Sequence, residues 1–141
     1  MSILRNIGEI NRCYAMFRSE RCEKAGLVGS QSLYLRTICR EPGISQERLA
    51  EKLIFNKSSV ARQLAALEEK GLIRRERSAA DKRIFLVYPT EQGQSLLPLI
   101  LDMIHEFIGI IYSDLTPEEA ALLEELTKKV NLRAKEAIRK P

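Results

Sequence analysis

The amino-acid sequence predicts a mainly α-helical fold with one small β-hairpin. Residues 44–93 fit a short helix, a turn, a longer helix that ends at a glycine, and a hairpin with a basic, polar tip. Apolar side chains recur at helical spacing on both sides of this segment. A helix-turn-helix followed by a hairpin is the order of a winged helix-turn-helix, a module that places one helix in the DNA major groove. We therefore expect a winged helix-turn-helix flanked by N- and C-terminal dimerisation helices.

The length of the chain favours one domain. The 141 residues can bury a sizeable core. We expect the winged helix-turn-helix to cover residues 30–90, and a helical dimerisation region to cover residues 1–25 and 91–141. No stretch approaches the roughly 18 uninterrupted apolar residues of a membrane span, and the first residues lack the apolar run of a signal peptide. We therefore expect a cytoplasmic protein without a membrane partner.

Two helices are predicted before the central module. The first covers Ile3 to about Lys24, where apolar residues recur at spacings of four and three. The second runs roughly from Ser30 to Arg40. Glu41-Pro42-Gly43 then forms a strong stop signal.

The helix-turn-helix is predicted from its caps and its apolar spacing. Ser45 is the candidate N-cap of the short helix, and Asn56 is the candidate N-cap of the longer one. The longer helix ends at Lys70-Gly71, with a cation in its last turn and glycine beyond it. Polar residues off its apolar stripe are types that bond phosphate oxygens or base edges: Lys57, Ser58, Ser59, Arg62 and Gln63. The alternative is an ordinary amphipathic surface helix with a solvated face.

The hairpin adds a concentration of positive charge. Two short strands, Leu72-Ile73 and Phe85–Tyr88, are predicted on either side of a basic segment. From Asn56 to Arg83 eight basic and four acidic residues give +4, which equals the net charge of the whole chain. Such a basic stripe on one module is typical of nucleic-acid binding, although a charge run alone can be a solvated face. The predicted duplex-DNA contacts therefore include Ser45, Asn56, Arg74, Arg75, Arg77, Lys82 and Arg83.

Two segments of the chain resemble the DNA-binding core of the multiple antibiotic resistance regulator (MarR) family. They are PGISQERLAEKL and SSVARQLAALEEKGLIRRERSAADKRIFLVYPTEQG. The family's wing pattern, Asp-x-Arg followed by Leu-Thr and then Gly, matches Asp81-Lys82-Arg83 and Thr90-Glu91-Gln92-Gly93. Pro89 replaces the leucine, and because proline cannot donate to a ladder we expect it to end the strand.

The resemblance implies roles for two wing residues. Asp81 would stabilise the wing, and Arg83 would insert near or into the minor groove. The negative potential of a narrow minor groove independently favours a guanidinium there. The alternative is a local ion pair between the two side chains on a surface turn.

The chain after the wing is predicted to form two helices. Thr90 is expected to cap a long apolar helix, in which Pro98 predicts a kink or an irregular first turn. Thr116-Pro117-Glu118-Glu119 is typical of a capping box that starts the last helix. Glu91 to Leu126 contains eight acidic residues and no lysine or arginine, so this part should face away from DNA.

The apolar residues at the two chain ends exceed what one face of a small domain can hide. We therefore expect a homodimer, as the family resemblance also implies. A two-fold dimer would present two recognition helices to successive major grooves, about 34–36 Å apart. The preferred binding site would then be pseudo-palindromic.

The resemblance also implies regulation by a small molecule or by oxidation. Many family members are released from DNA by phenolic or anionic effectors, and the candidate residues here are Tyr14, Phe17, Arg18 and Tyr34. Their alternative role is core packing beside a surface arginine. Some members sense hydroperoxides through a first-helix cysteine, and Cys13 lies in a comparable region with Arg12 beside it. A free cysteine is equally typical of a small buried apolar residue.

Other chemistry is not indicated by the sequence. It contains no nucleophile–base pattern, glycine-rich phosphate loop or metal-ligand cluster, so we expect no enzyme activity, no cofactor and no metal. The three cysteines lack CxxC spacing, and His105 is interpreted as a core or interface histidine, with pH or metal sensing as the alternative. A thiol enzyme using Cys13 would need a base near the thiol, for which the sequence offers no support.

The predicted function is a transcriptional regulator, specifically a repressor. It would bind a pseudo-palindromic operator as a homodimer and be released by a small phenolic or anionic effector. Two alternatives remain open: a redox-sensing repressor acting through Cys13, and a winged-helix protein-interaction module that does not bind DNA.

Overall fold

The computed structural model describes residues 2–139. The chain forms two compact units, Met1–Ile104 and His105–Pro141. The elements of the first unit are α1 (Ser2–Cys22), a 3₁₀ helix (Glu23–Ala25), α2 (Gln31–Arg40), β1 (Ile44–Ser45), α3 (Gln46–Leu53), α4 (Lys57–Glu69), β2 (Ile73–Arg77), β3 (Phe85–Pro89), α5 (Glu91–Ser95) and the first part of α6 (Leu97–Ile111). The second unit contains the end of α6 and α7 (Pro117–Ile138). The predicted mainly helical class with a small sheet is confirmed.

Four helices begin at the caps that the sequence predicted. Each cap side chain accepts a hydrogen bond from the backbone N–H three residues later: Ser45 from Arg48 at 3.1 Å, Asn56 from Ser59 at 2.7 Å, Thr90 from Gly93 at 3.1 Å and Thr116 from Glu119 at 3.1 Å. Glu119 also accepts from the Thr116 N–H at 2.9 Å, which completes the capping box. These bonds satisfy N–H groups that a helix leaves without internal partners.

The sheet has three antiparallel strands in the order β1-β3-β2. Two predictions are corrected here. Strand β1, which pairs Ile44 with Val87, was not predicted, and β2 continues to Arg77 where the sequence suggested an end at Ile73. Both errors have one cause, because strand pairing depends on partners distant in sequence, and an arginine-rich segment carries little local strand signal.

The arginines of β2 extend the strand by covering aromatic rings of β3. The Arg74 guanidinium lies 4.4 Å from the Tyr88 ring centroid, and that of Arg77 lies 4.7 Å from the Phe85 centroid. Such cation–π contacts are worth roughly 0.5–1 kcal/mol at exposed sites. Arg74, Arg75 and Arg77 therefore belong to a strand and not to the tip of the wing.

The core of the first unit lies between α2, α3, α4 and the sheet. Its fully buried members include Leu35, Ile38, Leu49, Val60, Leu64, Leu67, Ile73 and Val87. Burial of each such side chain contributes about 1.5–3 kcal/mol. Gly93 lets α5 approach this core, because a Cβ there would lie 2.0 Å from the Leu72 carbonyl oxygen. This close approach gives the glycine of the wing motif a packing reason.

The helix predicted after the wing is divided in two. Helix α5 ends at Ser95, and α6 begins at Leu97 with Pro98 in its first turn, where the missing N–H removes no helical bond. The irregular start that Pro98 predicted is confirmed, and β3 ends at Pro89 as expected. By length and composition alone, Glu91–Ile111 could cross a membrane. Within this stretch the helix is interrupted after Ser95, and Ile100 and Met103 are buried in the core of the first unit.

Candidate nucleic-acid interface

Helix α4 presents polar side chains from its first two turns. Lys57, Ser58 and Arg62 are exposed, whereas Ser59 and Gln63 are half-buried. The Ser58 hydroxyl donates to the Asn56 side chain at 2.9 Å. Arg62 donates to the Ser59 hydroxyl at 3.3 Å. The first turns of α4 therefore combine hydroxyl and guanidinium donors on an accessible surface.

Gln63 differs from its neighbours on α4. Its amide oxygen accepts a hydrogen bond at 3.3 Å from Gln31, a buried residue of α2. The sequence placed this side chain among the DNA contacts. In the structure its amide oxygen accepts from Gln31, and the residue is half-buried.

The wing turn brings Asp81 and Arg83 together. The Asp81 carboxylate accepts from the Arg83 backbone N–H at 3.0 Å and from its guanidinium at 3.1 Å through both oxygens. Both hydrogen bonds lower the pKa of the Asp81 carboxyl group, and the bond from the Arg83 side chain contributes more than the bond from its backbone. The Arg83 side chain remains 90% exposed. The carboxylate thus orients a guanidinium that stays available to solvent or to a ligand.

The three strand arginines have different surroundings. Arg74 pairs with Glu76 on its own strand, and Arg77 donates to the Lys82 carbonyl oxygen at 2.6 Å, while Lys82 itself is exposed. Arg75 is only 23% exposed and donates to Glu68 of α4 at 3.0 Å and to Gln46 of α3 at 3.4 Å. Arg75 therefore ties the wing to both helices of the helix-turn-helix.

A groove of about 190 Å³ joins the helix-turn-helix to the wing. Its lining consists of Gln46, Glu47, Lys57, Arg83, Ile84 and Phe85. Lys57 starts α4, and Arg83 belongs to the wing, so two predicted cations share one surface. The sequence did not single out Glu47, which pairs with Lys57 at 3.1 Å. Glu47 lies in the first turn of α3, two residues after the Ser45 cap, and this position was the sequence signal that could have identified it.

Comparison with known proteins agrees with this geometry. Residues 29–85 match the model of the MarR family. The uncharacterized HTH-type transcriptional regulator YybA of Bacillus subtilis (strain 168) is 32% identical over 128 residues, which cover 91% of this chain and 85% of YybA. The chain belongs to the MarR family. It is a DNA-binding winged-helix transcriptional regulator, and it is not an enzyme.

Solved MarR family structures match almost the whole chain. The crystal structure of the transcriptional regulator SlyA has a TM-score of 0.93 and 30% identity, and the match covers 97% of this chain and 96% of SlyA. A MarR family transcriptional regulator from Listeria monocytogenes, solved in complex with a 26mer DNA, has a TM-score of 0.92 and 31% identity, with 96% and 90% covered. The winged-helix fold is therefore shared over nearly the full length.

This MarR family protein also has a cavity of about 250 Å³ between α1, α2 and α6. Its lining consists of Asn11, Tyr14, Arg18, Ser32, Leu33, Arg36, Ile100 and Ile104. Burial raises the pKa of the Tyr14 hydroxyl, and the charges of Arg18 and Arg36 oppose that shift. Arg36 was not anticipated, because nothing in the local sequence distinguishes it from a solvated arginine of α2.

The structure brings together only two of the four predicted effector residues. Tyr14 and Arg18 line the cavity, with the guanidinium 5.4 Å from the ring centroid. Phe17 lies outside the lining, and the Arg21 guanidinium lies 3.9 Å from the centroid of its ring. Tyr34 is 1% exposed and stacks on Phe55 with the ring centroids 5.6 Å apart. Core packing accounts for Tyr34, because its ring is enclosed away from the cavity.

The cysteines and the histidine occupy different environments. Cys13 is exposed on α1, and the Arg12 guanidinium lies close to Gly8, one turn earlier in the helix. Burial raises the pKa values of the Cys22 and Cys39 thiols, which disfavours the reactive thiolate at both. His105 is exposed on α6, so it is not a core histidine, and its interpretation as an interface histidine stays a prediction.

Proposed function

We propose that the protein represses transcription by binding a pseudo-palindromic operator as a homodimer in the cytoplasm. The observation that carries this proposal is the shared groove, in which Lys57 of α4 and Arg83 of the wing line one surface. A helix start and a wing on one surface can contact adjacent parts of a duplex. The complex of the Listeria relative with DNA supports the same class of partner.

The exposed cations supply the contacts in this proposal. Lys57, Arg62 and Lys82 would meet phosphates or base edges, and Arg83 would enter the minor groove, held by Asp81. Ser45 and Asn56 already accept helix N–H bonds, so their part is to orient the helix ends. If each subunit used three or four cations, log K against log salt would have a slope of roughly −5 to −7.

The apolar surface of each unit supports the homodimer. In the first unit the exposed apolar residues of α1 include Ile3, Leu4, Ile7 and Ile10. In the second unit they are Ile108, Ile110, Ile111, Leu122, Leu123, Leu126, Val130, Leu132 and Ile138. Contiguous exposed apolar surface marks an interaction site. We assign residues 1–25 and 91–141 to the dimer interface.

The cavity beside α2 supports release by an anionic aromatic effector. Tyr14 offers a flat ring, and Arg18 and Arg36 offer two cations that would pair with a carboxylate or phenolate. An effector that binds one arrangement of the dimer better would shift the population away from the DNA-binding arrangement. Its effect on operator affinity could not exceed the ratio of its own affinities for the two arrangements.

Selection of duplexes from a random pool tests the proposal directly. The wild-type protein should enrich a pseudo-palindromic site, and Arg83→Ala should weaken binding to it by about 1–3 kcal/mol. Arg40→Ala is the matched control, because Arg40 is an exposed arginine at the end of α2, outside both the proposed DNA contacts and the residues assigned to the dimer interface. Enrichment of no sequence, or equal affinities for the two variants, would contradict the proposal.

A further inference from the structure

A buried amide connects α2 to α4 in the first unit. Gln31, the first residue of α2, is only 3% exposed. Its side-chain oxygen accepts from the Val28 N–H at 3.1 Å and from the Lys70 ammonium at 2.7 Å. Its side-chain nitrogen donates to Gln63 at 3.3 Å. Because a buried amide cannot exchange these partners for water, its orientation is fixed by the protein.

The other two side-chain partners lie on one face of α4, Gln63 within the helix and Lys70 at its C-cap. Gln63 and Lys70 are seven residues apart, which is about two helical turns, or roughly 10 Å along the axis. Lys70 also donates to the Gly26 carbonyl oxygen at 2.6 Å, in the connector before α2. A helix held at two points on one face can neither rotate about its axis nor slide along it without breaking these bonds.

We propose that Gln31 is a positioning residue for DNA recognition, which sets the rotation of α4 and so determines which side chains of α4 face the bases. This inference rests on the proposed function. Gln63 serves as the contact of α4 with Gln31 and does not read a base. The exposed cations Lys57 and Arg62 take no part in these hydrogen bonds. Loss of the hydrogen bonds therefore leaves the attraction of these cations to phosphate unchanged.

The position of Gln31 gives this contact a further role. The next two residues, Ser32 and Leu33, line the cavity between α1, α2 and α6. The first turn of α2 therefore touches the cavity and holds α4 at the same time. A shift of this turn would change the orientation of α4 through the hydrogen bond between Gln31 and Gln63.

The test compares specific with non-specific binding in the full-length protein. The probes are the duplex that the wild type selects from a random pool and a scrambled duplex of equal length and composition. Gln63→Leu should lower the ratio of the two affinities by about three- to tenfold, the range of one net hydrogen bond. Gln31→Leu should lower it at least as much, because it also removes the acceptor of the Lys70 ammonium. The double variant should lower it no further than Gln31→Leu alone, because Gln31→Leu already removes the one contact that Gln63→Leu breaks. The salt slope on the scrambled duplex should stay unchanged.

Thr37→Val is the matched control for loss of a buried polar group on α2. Thr37 is also buried, but its hydroxyl bonds only to the Leu33 carbonyl oxygen of its own helix, at 2.8 Å. This variant should keep the wild-type affinity ratio even if it unfolds more easily. Gln63→Leu tests the contact from the half-buried side, so the test survives if Gln31→Leu does not fold.

Two outcomes would overturn the inference alone. One is a folded Gln31→Leu protein with the wild-type affinity ratio. The other is a change of preference at a single base pair in Gln63→Leu that Gln31→Leu does not share, because a base reader behaves in that way. If the wild type selects no duplex at all, the proposed function fails, and this inference fails with it.

Discussion

Ile54 is the only non-glycine residue between residues 2 and 139 with a positive φ. Its backbone angles are φ 57° and ψ 44°, in the turn between α3 and α4. The left-handed conformation lets its N–H donate to carbonyl oxygens of the last turn of α3. A β-branched residue is strained there, because its Cβ crowds the following carbonyl oxygen. The side chain is 49% exposed, so packing recovers only part of this cost.

Replacing Ile54 should reveal this strain as a reversed order of stabilities. The free energy of unfolding of Ile54→Gly should be about 1 kcal/mol higher than that of Ile54→Ala. Both variants lose the same side-chain contacts, and only glycine relieves the backbone strain of the left-handed conformation. In an ordinary helix position alanine is the more stable of the two. Urea unfolding of both variants measures the difference. Equal stabilities, or a more stable alanine variant, would show that the turn is unstrained.

The lowered pKa of Asp81 makes a prediction about pH. Its ionised form is favoured in the folded wing, so the stabilisation is present above the ordinary carboxyl range and is lost as pH falls through the lowered pKa. Arg83→Ala should raise this pKa towards its usual value, because the Arg83 side chain is the largest cause of the shift. An NMR titration of the carboxyl group measures it. Lys82→Ala is the control, since it removes a neighbouring charge and neither hydrogen bond, and an equal rise in both variants would contradict the assignment.

At the scale of elements, Arg75 links the wing to the helix-turn-helix. Its guanidinium donates to Glu68 through two nitrogens, at 3.0 and 3.3 Å, and its backbone N–H donates to the same carboxylate at 3.2 Å. These bonds fix the angle between β2 and the end of α4. Arg75, which the sequence predicted as a DNA contact, thus already donates hydrogen bonds to two protein side chains.

Arg75→Gln and Glu68→Gln should therefore act as one unit. Each should lower the free energy of unfolding by about 1 kcal/mol, and the double variant should lose little more. The salt slope of duplex binding should not change, whereas loss of a phosphate contact would reduce it by about one. Arg74→Gln is the control on the same strand, because the Arg74 guanidinium contacts Glu76 and Tyr88 but not Glu68, so its loss of stability should add to that of Glu68→Gln. Additive losses in the double variant would argue against the link.

Local signals predicted most element boundaries, and non-local pairing set the rest. The caps at Ser45, Asn56 and Thr116 were predictable because each bond spans only three residues. Strand β1 is two residues long and pairs with Val87, far along the chain, so its own sequence could not indicate it. Strand β2 was predicted too short because its arginines become strand residues only when Tyr88 and Phe85 lie beneath them.

The sequence predicted which types of residue form the candidate site better than it predicted where each side chain lies. Charge counting located the basic module, and Lys57 and Arg83 do share a groove. Which polar residues are bonded to other protein groups depends on partners that the sequence does not place nearby, as with Gln63 and Gln31, or Arg75 and Glu68. The same holds for Tyr34, which packs on Phe55, and for Arg36, which lines the cavity.

For the whole molecule, the exposed apolar residues of α7 favour a dimer over a monomer. Leu122, Leu123, Leu126 and Val130 lie on one side of this helix and are all exposed. Within the second unit α7 is joined to the end of α6 by the hydrogen bond from Tyr112 to Glu124. That bond is polar and leaves the apolar stripe uncovered.

A charge on this stripe should separate the subunits and thereby weaken operator binding. Leu126→Glu places an ionised carboxylate where the proposed partner subunit packs, and burial of an unpaired charge is strongly unfavourable. Asn131→Glu adds the same charge to the same helix, away from the stripe, and should leave the dimer intact. Sedimentation should show a monomer for Leu126→Glu, and its affinity for the selected duplex should fall at least tenfold, because one recognition helix then binds without its partner. If Leu126→Glu sediments as a dimer like Asn131→Glu, the stripe is not the interface, and the two recognition helices must be paired by another surface.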